Sequence, residues 1–93
     1  MARYDNPPTS LTGAQETVTT TPTALNAGIS VPCQEVFVVN LPSSTQTVSI
    51  GSASAQDLDL VPGGSLPIPL DDVSKVFAKT DAGTATIQWL AAS

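Results

Sequence analysis

The stretch Lys75-Val76-Phe77-Ala78-Lys79-Thr80-Asp81-Ala82-Gly83-Thr84-Ala85-Thr86-Ile87-Gln88-Trp89-Leu90 decides the fold class of this chain. Val76 and Ala78, then Ala85, Ile87 and Trp89, recur at every second position, the period of a strand with one buried face. The intervening residues are mostly polar, and the three- and four-residue apolar spacing of a helix is missing. Asp81-Ala82-Gly83 supplies a turn between the two runs, with glycine where φ must be positive. The pair therefore predicts a terminal β-hairpin.

Working outward, the chain breaks every eight to twelve residues into short β-branched and apolar segments, the spacing of an all-β sandwich or barrel. Strands are predicted over 16–21, 23–27, 35–40, 47–51, 57–60, 65–70, 75–80 and 84–90. Eight strands suit a small antiparallel β-sandwich, jelly-roll-like in its winding. Val61-Pro62-Gly63-Gly64 reads as a type II turn, with Pro62 pre-setting φ and Gly63 taking the positive value. Pro67 and Pro69 each remove a donor from the strand that follows, which confines it to a sheet edge and guards that edge against a stray strand. Val48 and Ile50, Leu58 and Leu60, and Leu66, Ile68 and Leu70 extend the alternating set that should face one core.

The chain has 93 residues, enough for one domain. At this size only roughly 60 to 65% of the unfolded surface is buried, so the domain needs a staple. One cysteine, Cys33, and no histidine exclude an internal disulfide and a Cys/His zinc site. Association with copies of itself or with a larger partner is the staple that remains. A net charge of -5 repels phosphate backbones, which argues against nucleic acid as a partner. No run approaches the roughly 20 apolar residues of a membrane span, and the N-terminus lacks a secretory apolar stretch, so the chain reads as complete and made in the cytoplasm. Only 12% of residues are charged, and Ser and Thr must wet the surface instead.

Residues 1–15 carry Pro7-Pro8, Gly13 and only two sizeable apolar side chains, Tyr4 and Leu11, too few to order the segment by burial. They are expected to form an extended N-terminal arm ahead of a sandwich domain over 16–93, with Tyr4 and Leu11 as anchors should the arm order against a partner. Phe37, Phe77 and Leu90 fall out of step with the core set of their strands and should lie on the opposite faces. They form either a second small core layer under the arm or a subunit interface. Tyr4, Leu11, Phe37 and Phe77 are thus the candidate partner-binding residues.

The chemistry available is sparse. Without histidine, Ser-His and Cys-His nucleophiles are out, leaving carboxylates and two lysines as bases. Asp57 with Asp59, and Asp71 with Asp72, are the only pairs able to divide acid and base work as in glycoside hydrolysis, and four aromatic residues cannot line the cleft that reaction needs. The same carboxylates with Asp81 could in principle meet calcium, but no calcium-loop spacing is present, and they read as turn and strand-edge groups. Gly63-Gly64-Ser65 lacks the lysine and helix of a phosphate loop. Cys33, between Pro32 and a strong strand, reads as a buried apolar thiol. No catalytic, metal-binding or cofactor-binding residue is assigned, and the chain is not expected to be an enzyme.

From Val18 to Leu90 the sequence resembles small accessory proteins of tailed-bacteriophage virions. The resemblance runs through Ser30-Val31-Pro32-Cys33, Val36 to Val39, Val48-Ser49-Ile50-Gly51-Ser52, Pro62-Gly63-Gly64-Ser65-Leu66, Val73-Ser74-Lys75-Val76-Phe77-Ala78-Lys79 and Gly83-Thr84-Ala85-Thr86-Ile87. It implies a small structural protein of the virion, commonly a trimer, either a decoration or cement protein on the capsid or a component of a fibre or neck; the leading expectation is decoration of the capsid surface by a homo-oligomer, a trimer favoured, whose partner is the major capsid protein. A fibre, neck or tail component shares the fold and the oligomeric habit. A carbohydrate-binding module is the reading from another class, and it depends on an exposed aromatic platform, with Trp89 the residue in question.

Overall fold

The computed structural model describes residues 10–93, and they form an all-β sandwich of two four-stranded antiparallel sheets. The strands are β1 (Leu11–Val18), β2 (Thr23–Ala24), β3 (Glu35–Asn40), β4 (Val48–Gly51), β5 (Leu58–Leu60), β6 (Ser65–Ile68), β7 (Phe77–Thr80) and β8 (Ala85–Ala92). Sheet A has the order β1-β8-β3-β6 and sheet B the order β2-β7-β4-β5. First pairs with last, second with seventh, third with sixth and fourth with fifth. This nested pairing is a long hairpin rolled up on itself, the winding of a jelly roll. Among the described residues no helix is long and apolar enough to cross a membrane.

The inner faces are filled as the alternation requires. Val36 and Val38 of β3, Val48 and Ile50 of β4, Ala78 of β7, and Ala85, Ile87, Trp89 and Ala91 of β8 are buried, joined by Leu25, Val73 and Val76 from the connections. Each such valine, leucine or isoleucine contributes about 1.5–3 kcal/mol on leaving water.

Three expectations change. The terminal hairpin does not form, because β7 lies in sheet B and β8 in sheet A. Asp81-Ala82-Gly83 reverses the chain with Gly83 at φ +66, yet it carries it across the core, so Ala78 and Ile87 face each other's sheets. The expected strand 23–27 stops at Ala24, since Asn26, Ala27 and Gly28 all take positive φ.

The arm expected over 1–15 also gives way at Leu11. β1 pairs with β8 along its whole length, Leu11 opposite Ala92 and Val18 opposite Ala85, and Ser10 and Ser93 exchange both backbone hydrogen bonds at 2.9 Å. Side-chain burial was a poor guide here: Leu11 to Gln15 are all exposed, and the backbone ladder orders them.

Every sheet edge is short or guarded. β2 and β5 have two and three residues, β6 carries Pro67, and β1 turns the carboxylate of Glu16 inward. That carboxylate accepts hydrogen bonds from the Trp89 indole N–H and the Asn26 backbone N–H, both at 2.6 Å. Asn40 ties the opposite end together. It is fully buried at the end of β3, and its amide nitrogen donates to the carbonyls of Gln46 at 2.9 Å and Leu60 at 2.8 Å. Its backbone exchanges bonds with the 61–64 turn, in which Gly64 N–H donates to Val61 and Gly63 sits at φ +83 as expected.

Candidate docking surface

The outer face of sheet A is built from the residues that alternate with the core. Reading across the strands, Gly13 of β1 stands opposite Leu90 of β8, Leu90 opposite Phe37 of β3, and Phe37 opposite Pro67 of β6. This row holds no polar side chain. Phe37 is 40% exposed and Leu90 39%. A Cβ added to Gly13 would lie 3.0 Å from a terminal carbon of Leu90, so the missing side chain leaves room for the leucine to lean toward the sheet edge. The next row runs Leu11, Ala92 and Glu35, with Leu11 66% exposed, and the row on the other side runs Gln15, Gln88, Val39 and Ser65. A shallow depression of about 230 Å³ lies beside Phe37, Val39 and Leu90.

Of the candidate residues, Leu11 and Phe37 thus share one face. Phe77 lies apart, half-buried on the outer face of sheet B opposite Ala24 and Gly51. Tyr4 lies outside the described residues. Leu90, out of step with the core set of its strand, joins Leu11 and Phe37 on this face although it is not among the candidate partner-binding residues. Pro67 looked like an edge guard alone, although facing Phe37 across the strand pair gives it a place in the apolar row.

Asp59, Asp71 and Asp72 are held within the fold. Asp59 accepts from the Ser49 hydroxyl at 3.0 Å, and Asp71 pairs with Lys75 at 2.8 Å in an exposed contact that solvent screens. Asp72 accepts from the Ser30 hydroxyl, from the Ser74 N–H and hydroxyl at 3.0 and 2.8 Å, and from the Val31 N–H at 3.1 Å. The Ser30 hydroxyl, followed by the Ser74 groups, holds the Asp72 carboxyl well below the usual carboxylate range. Among the described residues no group of three or more His, Cys, Asp or Glu side chains is placed to hold a metal ion. Cys33 is half-buried with its thiol against the Leu70 carbonyl at 3.2 Å; burial, then the nearby Asp72 and Asp71, pushes that thiol up, which disfavours the nucleophilic thiolate. Trp89 is buried in the core and offers no ring face to a sugar.

A second apolar feature lies between the sheets. Next to the 61–64 turn β5 and β6 close on each other, but farther from it they part into an open wedge of about 540 Å³ floored by Ile50 and Val76 and walled by Leu58, Leu66, Ile68 and Leu70. Leu58 faces inward as its alternation requires, yet it is 50% exposed because none of the described residues covers it.

No family model matches the chain, and no curated protein matches it. Fold and surface define the class: a jelly-roll sandwich with an exposed apolar row on one sheet.

Proposed function

We propose that this chain is a structural virion protein that decorates and stabilises a bacteriophage capsid shell, docking as a homo-oligomer, a trimer favoured, at junctions between major capsid proteins. The observation that carries the reading is the Leu90-Phe37-Pro67 row with Leu11 and Val39 beside it. Contiguous exposed apolar residues rimmed by polar ones mark interaction sites. The rim here is Gln15, Gln88 and Ser65, with Glu35 the single charge among the residues of these rows. Covering hydroxyls and amides that regain hydrogen bonds costs far less than stripping water from unpaired charges.

Two further points support it. The order of turns and core residues resembles phage accessory proteins, and jelly rolls serve as capsid domains as well as lectins and cupins. Fold alone does not choose among these. On a symmetric lattice, modest local affinity is multiplied by avidity, so a patch of this size suffices. The test is the position of the labelled chain on purified particles imaged by electron microscopy. Label spread over the whole shell is the expected result. Label confined to one vertex or to the tail would replace decoration by a fibre or neck role, and no particle-bound label would remove the virion reading.

A further inference from the structure

We propose that residues 1–9 of one copy seat in the wedge between β5 and β6 of a second copy, with Tyr4 as the anchor. Among the described residues the wedge is an interior without a cover. Ile50, Leu58, Leu66 and Ile68 all point to the core side of their strands, and the three on β5 and β6 remain exposed or half-buried. Its volume lies within the roughly 300–1,000 Å³ of sites that enclose a ligand group. Pro67 and Pro69 deprive that edge of two backbone donors, so an occupant is held by side chains rather than as an added strand.

Residues 1–9, Met1-Ala2-Arg3-Tyr4-Asp5-Asn6-Pro7-Pro8-Thr9, lie outside the described residues, and their composition matches the wedge. Tyr4 brings a ring with a polar tip, suited to a site that is apolar within and wet at its mouth. In an extended chain Arg3 points opposite to Tyr4 and so reaches the rim. At the rim Asp57 has no ion pair among the described residues, whereas Asp71 is already held by Lys75, and Arg3 is the only arginine of the chain.

The exit point favours a second copy over the chain's own wedge. β1 begins at Leu11, at the same end of sheet A as Ile68 but on the opposite edge, three strand spacings or about 14 Å away. Nine residues reach at most about 30 Å. The sequence Asn6-Pro7-Pro8 is intrinsically stiff and resists the sharp reversal that entry into the chain's own wedge would demand. The inference needs no capsid: association that neither variant weakens would end it and leave the shell reading intact, whereas a strictly monomeric chain would also remove the homo-oligomer from that reading.

Light scattering of the purified full chain over a hundredfold concentration range tests it, beside Tyr4→Ala and Leu58→Arg. Leu58 is exposed, so its variant keeps the fold, and a thermal melt checks this. The expected result is a mass that rises with concentration for the natural chain and association at least about tenfold weaker for both variants. In a Cys33→Ser background, Tyr4→Cys chains mixed with Leu58→Cys chains should trap as a two-chain disulfide. A strictly monomeric natural chain, association that neither substitution weakens, or a Tyr4→Cys/Leu58→Cys chain that closes on itself at monomer mass would each overturn the proposal.

Discussion

Asp72 gathers more of the structure on one side chain than any other carboxylate described. It caps the short 3-10 turn Val73–Lys75 and fixes the segment at Ser30 and Val31, two stretches about forty residues apart in the chain. These donors favour its charged form, so its folded pKa lies below its ordinary value. The stabilisation is therefore complete above about pH 4 and is lost as pH falls from there toward the lower folded value. Melting temperature measured from pH 7 down to pH 2 should drop on the acid limb for the natural chain and drop less for Asp72→Asn, which keeps one acceptor oxygen for Val31 and Ser74 and does not titrate. Equal acid limbs would remove this role. The sequence placed Asp72 at a turn and could go no further, because its partners at Ser30 and Val31 are distant in sequence. Trp89 was legible as buried from its alternation, whereas its bond to Glu16 was not, since that pairing depends on β1 lying beside β8.

At the level of elements, alternation located most strands to within a few residues because each buries one face. Turn chemistry read conformation correctly at Gly63 and Gly83, both at positive φ. It did not reveal destination. A turn says that the chain reverses, and in a two-sheet fold the next strand can lie beside the last or across the core from it; β7 and β8 took the second course. The N-terminal boundary failed for a different reason, namely that an edge strand can be ordered by its ladder with no buried side chain. This yields an element-scale prediction. Removing residues 1–9 leaves β1 whole, so unfolding in urea at a concentration low enough for the natural chain to be monomeric should keep its midpoint. Removing 1–15 deletes five of the eight β1 residues and uncovers the edge of β8, and the midpoint should fall clearly, with a loss of about 2 kcal/mol or more. Equal midpoints for the two truncations would show that the N-terminal half of β1 contributes nothing.

For the molecule as a whole, the rolled-up hairpin leaves two places where apolar surface meets water: the outer face of sheet A and the wedge between β5 and β6. Composition pointed to docking as the missing staple, since a chain with one cysteine and no histidine has few others. It could not say where, because Phe37, Leu90 and Pro67 lie far apart in sequence and only pairing of β3, β6 and β8 aligns them. The apolar row and the wedge face different directions, so shell contact and copy-to-copy contact need not compete. The most direct measurement is shell occupancy of a Phe37→Lys/Leu90→Lys chain against the natural one, by quantitative gel of purified particles, with melting temperature followed in parallel. Two lysines set into a desolvated contact should reduce affinity at least about tenfold while the fold melts nearly as before. Undiminished occupancy by a folded variant would contradict the assignment of this face as the surface by which the protein works.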